Sequence, residues 1–231
     1  MNKTFSPGLT GNQLKILALV TMTIDHIGMM FFPYQPLWRI VGRLAFPIYA
    51  WFIAEGCRYT KNRKKYLLTM AALAAICQLV YLVAMGSLYQ CVLVTFTLAI
   101  LWTFSLDELI KRPDAKRGLV FGGVSFMVLF LSVGLPRLLP GTDYGIDYGL
   151  WGILLPVLVY VAPDKPRKLV VAGLVLVSLC LFSPSVQWYS LLALIPLALY
   201  NGQRGKYKMK YLFYLYYPLH LVALYAVGWL M

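Results

Sequence analysis

The chain has 231 residues, of which 61% are hydrophobic, and its mean hydropathy is +0.72. Soluble domains carry about 45–50% apolar residues, so the composition excludes an ordinary water-soluble domain. The net charge of +13 would suggest a nucleic-acid partner in a soluble protein. Here the cations lie in short runs between apolar stretches and leave no folded basic face outside a membrane, so no nucleic-acid partner is expected.

The apolar stretches run to about 17–20 residues, the length that crosses a bilayer core. They are continuously apolar and do not alternate as barrel strands do, so helices are the expected spanning element. The expectation is an all-α fold, a polytopic transmembrane helix bundle forming one integral-membrane domain over residues 1–231.

A polar lead with Pro7, Gly8 and Gly11 precedes segment one, Leu14 to Phe32. No cleavable signal peptide is expected, because Asp25-His26 interrupts this first apolar run and no small-residue cleavage site follows a short apolar core. The loop Pro33-Tyr-Gln-Pro36 is so short that segment two, Trp38 to Cys57, must run antiparallel beside the first. Pro47 is expected to kink it, since proline removes a backbone donor and crowds the preceding turn. After the basic run Arg58 to Lys65 come segment three, Tyr66 to Met85, and segment four, Cys91 to Leu106. A mixed-charge loop from Asp107 to Arg117 leads to segment five, Gly118 to Leu135. Segment six, Gly149 to Ala162, is short and holds Pro156, which suits a tilted or re-entrant helix. No basic run separates segment seven (Leu169 to Phe182) from segment eight (Gln187 to Tyr200), whereas basic loops precede seven and follow eight. Segment nine runs from Tyr211 to the C-terminus.

Cationic loops lie on the cytoplasmic side of multi-pass proteins. The loops after segments two, four, six and eight hold five, four, three and four Lys/Arg, and with Lys3 and Lys15 they place eighteen of the twenty-one cations on one side. Nine spans, N-terminus in and C-terminus out, in the cytoplasmic membrane is the topology this predicts. No internal repeat of the kind that builds inverted-repeat transporters is evident.

Ionisable residues inside apolar segments mark functional sites by default. Asp25 and His26 sit in the middle of segment one, Arg39 and Arg43 share one face of segment two, and His220 lies in segment nine. At a rise of 1.5 Å per residue, Asp25 lies about 16 Å and His220 about 14 Å from the inner ends of their helices. Glu55 lies about 18 Å along its helix from Arg43, out of pairing range. A histidine beside a carboxylate suits general acid–base chemistry. The alternative reading is structural: Asp25 neutralises Arg43, Arg39 reaches the headgroups, His220 packs among tyrosines, and Glu55 bonds the cations after it. The four cysteines, Cys57, Cys77, Cys91 and Cys180, have no metal-ligand spacing, so no metal is expected and they read as buried small apolar residues. Cys57 near the inner face lacks the activating surroundings of an acyl carrier. The loops Tyr59-Thr-Lys-Asn62 and Tyr200-Asn-Gly-Gln-Arg-Gly205 join cations to glycine and amide residues, a combination able to cradle phosphates.

Seven motifs in order, Asp25-His26-Ile-Gly28, Gly42-Arg43-Leu-Ala-Phe-Pro47, Glu55-Gly56, Thr60-Lys-Asn62, Asp147-Tyr-Gly149, Tyr200-Asn-Gly-Gln-Arg-Gly205 and Tyr214-Leu-Tyr-Tyr217-Pro-Leu-His220, resemble the TraX family over nearly the whole chain. The family's type member is an F-pilin acetylase that N-acetylates the pilin N-terminus. The family often has Asn at the start of the fourth span, where this chain has Cys91. The resemblance implies an integral-membrane acetyltransferase that takes acetyl from cytoplasmic acetyl-CoA and passes it to an acceptor amine or hydroxyl, a pilin or other exported peptide, or a glycan. For that transfer the residues offer catalytic roles: His26 or His220 takes the acceptor's proton, the sequence not choosing between them, Arg43 stabilises the oxyanion, and Asp25 orients a histidine or offsets the arginine charge. Donor binding would fall to Arg39, Glu55, Arg58, Lys61, Asn62, Asn201, Arg204, Lys210 and Tyr217. Two rival classes stand beside it: a proton-coupled transporter or permease, since buried Asp, His and Arg also build proton relays, and a structural membrane partner whose polar residues only fix helix packing.

Overall fold

The structure is a computed structural model that describes residues 7–207 and 209–230, the side chains at 84, 210, 211, 214, 229 and 230 excepted. Among the described residues the regular elements form nine helices: α1 (Gly11–Phe31), α2 (Pro36–Tyr59), α3 (Arg63–Met85), α4 (Val92–Lys111), α5 (Ala115–Leu138), α6 (Gly149–Val161), α7 (Lys165–Leu181), α8 (Ser185–Ala198) and α9 (Lys210–Leu230). Five of them, α1 to α5, are long and apolar enough to cross a membrane, and shorter apolar helices accompany them. This is a helical multi-pass membrane protein. The thirteen residues of α6 reach only about 20 Å at 1.5 Å each, short of the roughly 30 Å hydrocarbon core.

Helix boundaries follow local chemistry. Thr10 opens α1 with a reciprocal capping box to Gln13, which satisfies two orphan donors at once. Pro36 begins α2, where a missing N–H costs nothing. The helix then breaks at Arg43–Leu44 and resumes at Ala45. The break lies four residues before Pro47, whose ring crowds the Arg43 carbonyl and offers it no N–H. The helix is therefore interrupted one turn before Pro47, and the position of the interruption follows from the proline. Pro136 has the same kind of effect in α5, which loosens into a π-turn over Phe130–Gly134. In α8, a nine-residue 3-10 stretch, Ser185–Ala193, precedes the α-helical turn Leu194–Ala198; Pro184 and Pro196 flank and punctuate it. Helix α4 continues past Leu106 through Asp107 and Glu108, because both carboxylates find cationic partners.

The chain divides into two compact units. The terminal unit comprises the residues up to 52 and those from 165 on; the middle unit comprises residues 53–164. In the terminal unit α1 packs on the first part of α2 and on α9, while α8 packs on α7 and on the first part of α2. Small residues permit the close approach of α1 and α2: a β-carbon at Gly28 would meet the Trp38 side chain, and one at Gly42 would meet the Asp25 carboxylate. In the middle unit α4 is central, contacting α3, α5 and α6. Leu98, Ala99, Val128, Ile146, Ile153 and Val157 form its buried apolar core, while α3 and α5 leave most of their apolar surface uncovered by protein.

Candidate functional site

The α2 break places Arg43 at the C-terminal end of the first helical piece, over Asp25 of α1. Asp25 accepts from Arg39 Nη1 at 2.8 Å and from Arg43 Nη2 at 3.1 Å. One carboxylate therefore serves two guanidinium groups, and Asp25 neutralises arginine charge instead of orienting a histidine. The four-residue spacing that puts Arg39 and Arg43 on one helix face allows both to reach it. Arg39 keeps 31% of its side-chain exposure, whereas Arg43 keeps 10%. The second Arg43 terminal nitrogen, Nη1, donates to Gln187 Oε1 at 3.1 Å. Gln187, at the start of α8, is 3% exposed, and its Nε2 has no hydrogen-bond partner.

The two histidines of the sequence meet. Their ring centroids are 4.9 Å apart, with the rings 79° from coplanar. Each ring ties Nδ1 to the carbonyl one turn back: His26 to Met22 at 2.8 Å and His220 to Tyr216 at 3.0 Å. A carbonyl only accepts, so Nδ1 carries the proton and Nε2 of each neutral ring is left as the base. His220 is 7% exposed and its Nε2 is unpartnered. Tyr216 stacks on His220 at 5.3 Å, and Tyr217 meets it edge-on at 5.4 Å. Tyr216 is itself fixed by a hydrogen bond between its hydroxyl and that of Thr23, 2.7 Å apart, which joins α9 to α1. The structure thus brings together Asp25, Arg39 and Arg43, and brings His26 together with His220 and Tyr217.

The loop 199–207 closes on the start of α1. Leu9 N–H donates to Leu199 O, and Asn201 N–H to Leu9 O. Gly11 and Asn12 N–H donate to the carbonyls of Gln203 and Arg204, and the Asn12 side chain donates to Tyr207 O at 2.7 Å. Gly202 and Gly205 take positive φ values of 75° and 99°, which glycine adopts without steric cost. The glycines of this motif thereby account for a chain clasp, and the amides at the α1 start are already occupied. Asn201 accepts from Gln203 N–H at 2.9 Å, while Arg204 is exposed. The side chain of Lys210 lies outside the described residues.

Glu55, Arg58, Lys61 and Asn62 belong to the middle unit. Arg58 donates to the carbonyls of Tyr160 and Ala162 at the end of α6, the position where a cation complements helix carbonyls. Asn62 caps α3 by accepting from Lys65 N–H at 2.8 Å. Lys61 is exposed and Glu55 half-buried. Asp107 gathers Arg63, Lys111 and the Tyr160 hydroxyl, the last at 2.6 Å. In the Asp147-Tyr-Gly149 motif, Asp147 accepts from the Tyr89 hydroxyl at 3.0 Å and its carbonyl from Thr95 at 2.7 Å. All four cysteines are buried and free. Among the described residues no group of three or more His, Cys, Asp or Glu is placed to hold a metal ion.

Sequence reasoning missed Gln187 and Tyr216. Gln187 carried one signal, an amide at the mouth of an apolar segment. The stacking of Tyr216 on His220 is local, but its link to Thr23 spans the fold and left no sequence trace.

Comparison with known proteins gives a match to the family model described as TraX protein over residues 10–228. The chain is similar to the probable fimbrial assembly protein FimC, serogroup H1, of Dichelobacter nodosus, at 27% identity over 92% of this chain and 93% of that protein. A 39-residue stretch, 17% of this chain and 16% of the other, is 49% identical to an uncharacterized protein of Rickettsia prowazekii (strain Madrid E). No solved structure matches.

Proposed function

The chain belongs to the TraX family, and on that premise we propose that it is an integral-membrane acetyltransferase moving acetyl from acetyl-CoA to an acceptor amine or hydroxyl. The observation that carries this reading is the contact between half-buried His26 and buried His220, with each Nδ1 tied to a carbonyl and His220 Nε2 left unpartnered. That arrangement supplies a neutral, oriented base in a dry setting, which is what proton removal from a poorly acidic acceptor needs.

Acetyl-CoA supplies a thioester. His220 Nε2 takes the acceptor's proton as the new bond to the acetyl carbon forms, and returns it to the departing sulfur as the carbon–sulfur bond breaks. His26 packs against that ring and bridges by sequence to Asp25. Asp25 fixes the Arg43 guanidinium, which stabilises negative charge gathering on the carbonyl oxygen, an effect enlarged where water is excluded. Arg204 and Lys206 are exposed on the loop that clasps the α1 start and offer charged donors to the acetyl donor's phosphates. The backbone amides of the α1 start are spent on the clasp and the capping box, so phosphate contact at that helix start falls to side chains.

The cationic loops support a cytoplasmic-membrane protein with its N-terminus inside. A fimbrial assembly protein among its relatives supports an exported pilus or fimbrial subunit as acceptor. Labelled acetyl-CoA incubated with the purified protein in lipid, with candidate pilin peptides as acceptors, tests the reading. Saturable donor binding and label transfer are expected. An absence of acetyl-CoA binding at millimolar concentration overturns it, and uptake driven by a pH gradient without CoA would make the protein a transporter.

A further inference from the structure

Gln187 lies outside every motif that carries the family resemblance, yet it completes the arginine cluster. An arginine nitrogen only donates, so the 3.1 Å contact from Arg43 Nη1 fixes which end of the amide faces the guanidinium: the oxygen. The NH2 end must then point away. It is enclosed, in a residue 3% exposed, and it meets no acceptor. Enclosing an amide donor without an acceptor is costly, because its hydration is lost and nothing replaces it, so the position favours a ligand that supplies one. Two guanidinium groups on one carboxylate give the cluster a formal charge of +1, counting Arg39 and Arg43 against Asp25. Such an acceptor is thus best matched by a group carrying one negative charge on oxygen.

We propose that the Gln187 amide and the adjoining Arg43 guanidinium form a binding site for a single anionic oxygen group, a carboxylate or the carbonyl oxyanion of a transferring acyl group. A planar guanidinium and an amide NH2 are both donors suited to carboxylate-like oxygens. This deepens the acetyl-transfer reading and rests on it for the identity of the oxyanion; the anion site itself needs only the donors described. Gln187 then joins the residues that touch the reacting atoms, and the 3-10 opening of α8 serves to hold its amide at that place.

The test has two arms. Thermal melting of the purified protein is followed with increasing acetate, against chloride at equal ionic strength. Acetate is expected to raise the melting temperature of the wild type more than chloride does, and to lose that excess in Gln187→Leu and Gln187→Glu. The glutamate brings its own carboxylate to Arg43 and keeps the pair intact, so Gln187→Glu guards against simple misfolding. In the second arm, kcat for acetyl transfer falls by about 10²–10³ in Gln187→Leu, with KM for acetyl-CoA changing less than threefold. Equal acetate stabilisation of wild type and both variants overturns the site, as does a kcat within twofold of wild type. Acetate stabilisation that is lost in the variants, in a protein that transfers no acetyl, upholds the anion site and overturns the enzymatic reading instead.

Discussion

The terminal and middle units both carry buried or half-buried charge, and they handle it differently. In the middle unit Asp107 collects Arg63, Lys111 and Tyr160, and Glu108 adds Arg63 and Arg117. These groups sit where α3, α4, α5 and α6 begin or end, and the network reads as a junction that fastens helix ends. In the terminal unit the charges sit midway along α1 and at the break in α2, and buried donor or acceptor atoms remain at Gln187 and His220. Polar groups that satisfy one another rigidify a fold. Polar atoms held in place without a partner are confined to the terminal unit among those described, and that contrast is why the proposed chemistry is assigned there.

Breaking the open cluster has the largest expected effect on stability. Asp25→Ala leaves two guanidinium groups without their shared carboxylate and should cost about 3–5 kcal/mol, read as the midpoint shift in a thermal or denaturant melt. Asp25→Leu combined with Arg43→Leu should recover much of that loss while abolishing transfer, since an apolar pair of similar volume replaces a buried ion pair at little cost. Asp107→Asn in the closed network should cost less, about 1.5–3 kcal/mol, and leave transfer by the folded protein near wild type. Gly42→Ala drives a methyl into the Asp25 carboxylate; a loss of about 1–3 kcal/mol with reduced turnover is expected, where an unchanged melt would show that the helices can part freely. The smallest effect concerns the middle unit's clasp between the loops around 87 and 143. The Ser87 hydroxyl and Leu88 amide hold the Asp143 carboxyl below its usual range. A depressed carboxylate stabilises the fold above its ordinary value of about 3.9 and loses that contribution as pH falls through the lowered folded value. Exchange of the Leu88 amide should therefore quicken only on strong acidification, and Ser87→Ala should move that onset to higher pH.

Much of the architecture was legible because apolar length is a direct physical signal. The helices fall on the expected apolar segments, and Pro47 marked the interruption of α2. The sequence reading ends segment four at Leu106, before Asp107 and Glu108; the cation the two carboxylates share, Arg63, lies 44 and 45 residues away, a distance at which sequence patterns are silent, although Lys111 lies one turn on from Asp107. The 3-10 character of α8 was hidden for a related reason, since Pro184 and Pro196 suggest punctuation without specifying which helix results. Within the site, the Asp25–Arg43 partnership was legible from depth and charge. The histidine–histidine contact was only approached through similar depths, because edge contact between rings depends on how α9 rotates against α1. The glycines of Tyr200-Asn-Gly-Gln-Arg-Gly205 pointed toward phosphate, and the backbone uses them to wrap the α1 start. A glycine pattern reports a demand for unusual backbone, and the fold decides what the demand is for.

In the proposed division of labour, the open cluster performs the chemistry and the closed network only holds helices together. The most direct measurement is single-turnover transfer from labelled acetyl-CoA by His220→Ala and Asp107→Asn, each purified in folded form and compared with wild type. His220→Ala is expected to lose about 10²–10⁴ in rate, the range for removing a general base, and Asp107→Asn to stay within about twofold of wild type. Equal losses in both variants, or a His220→Ala protein that transfers at the wild-type rate, would contradict that division.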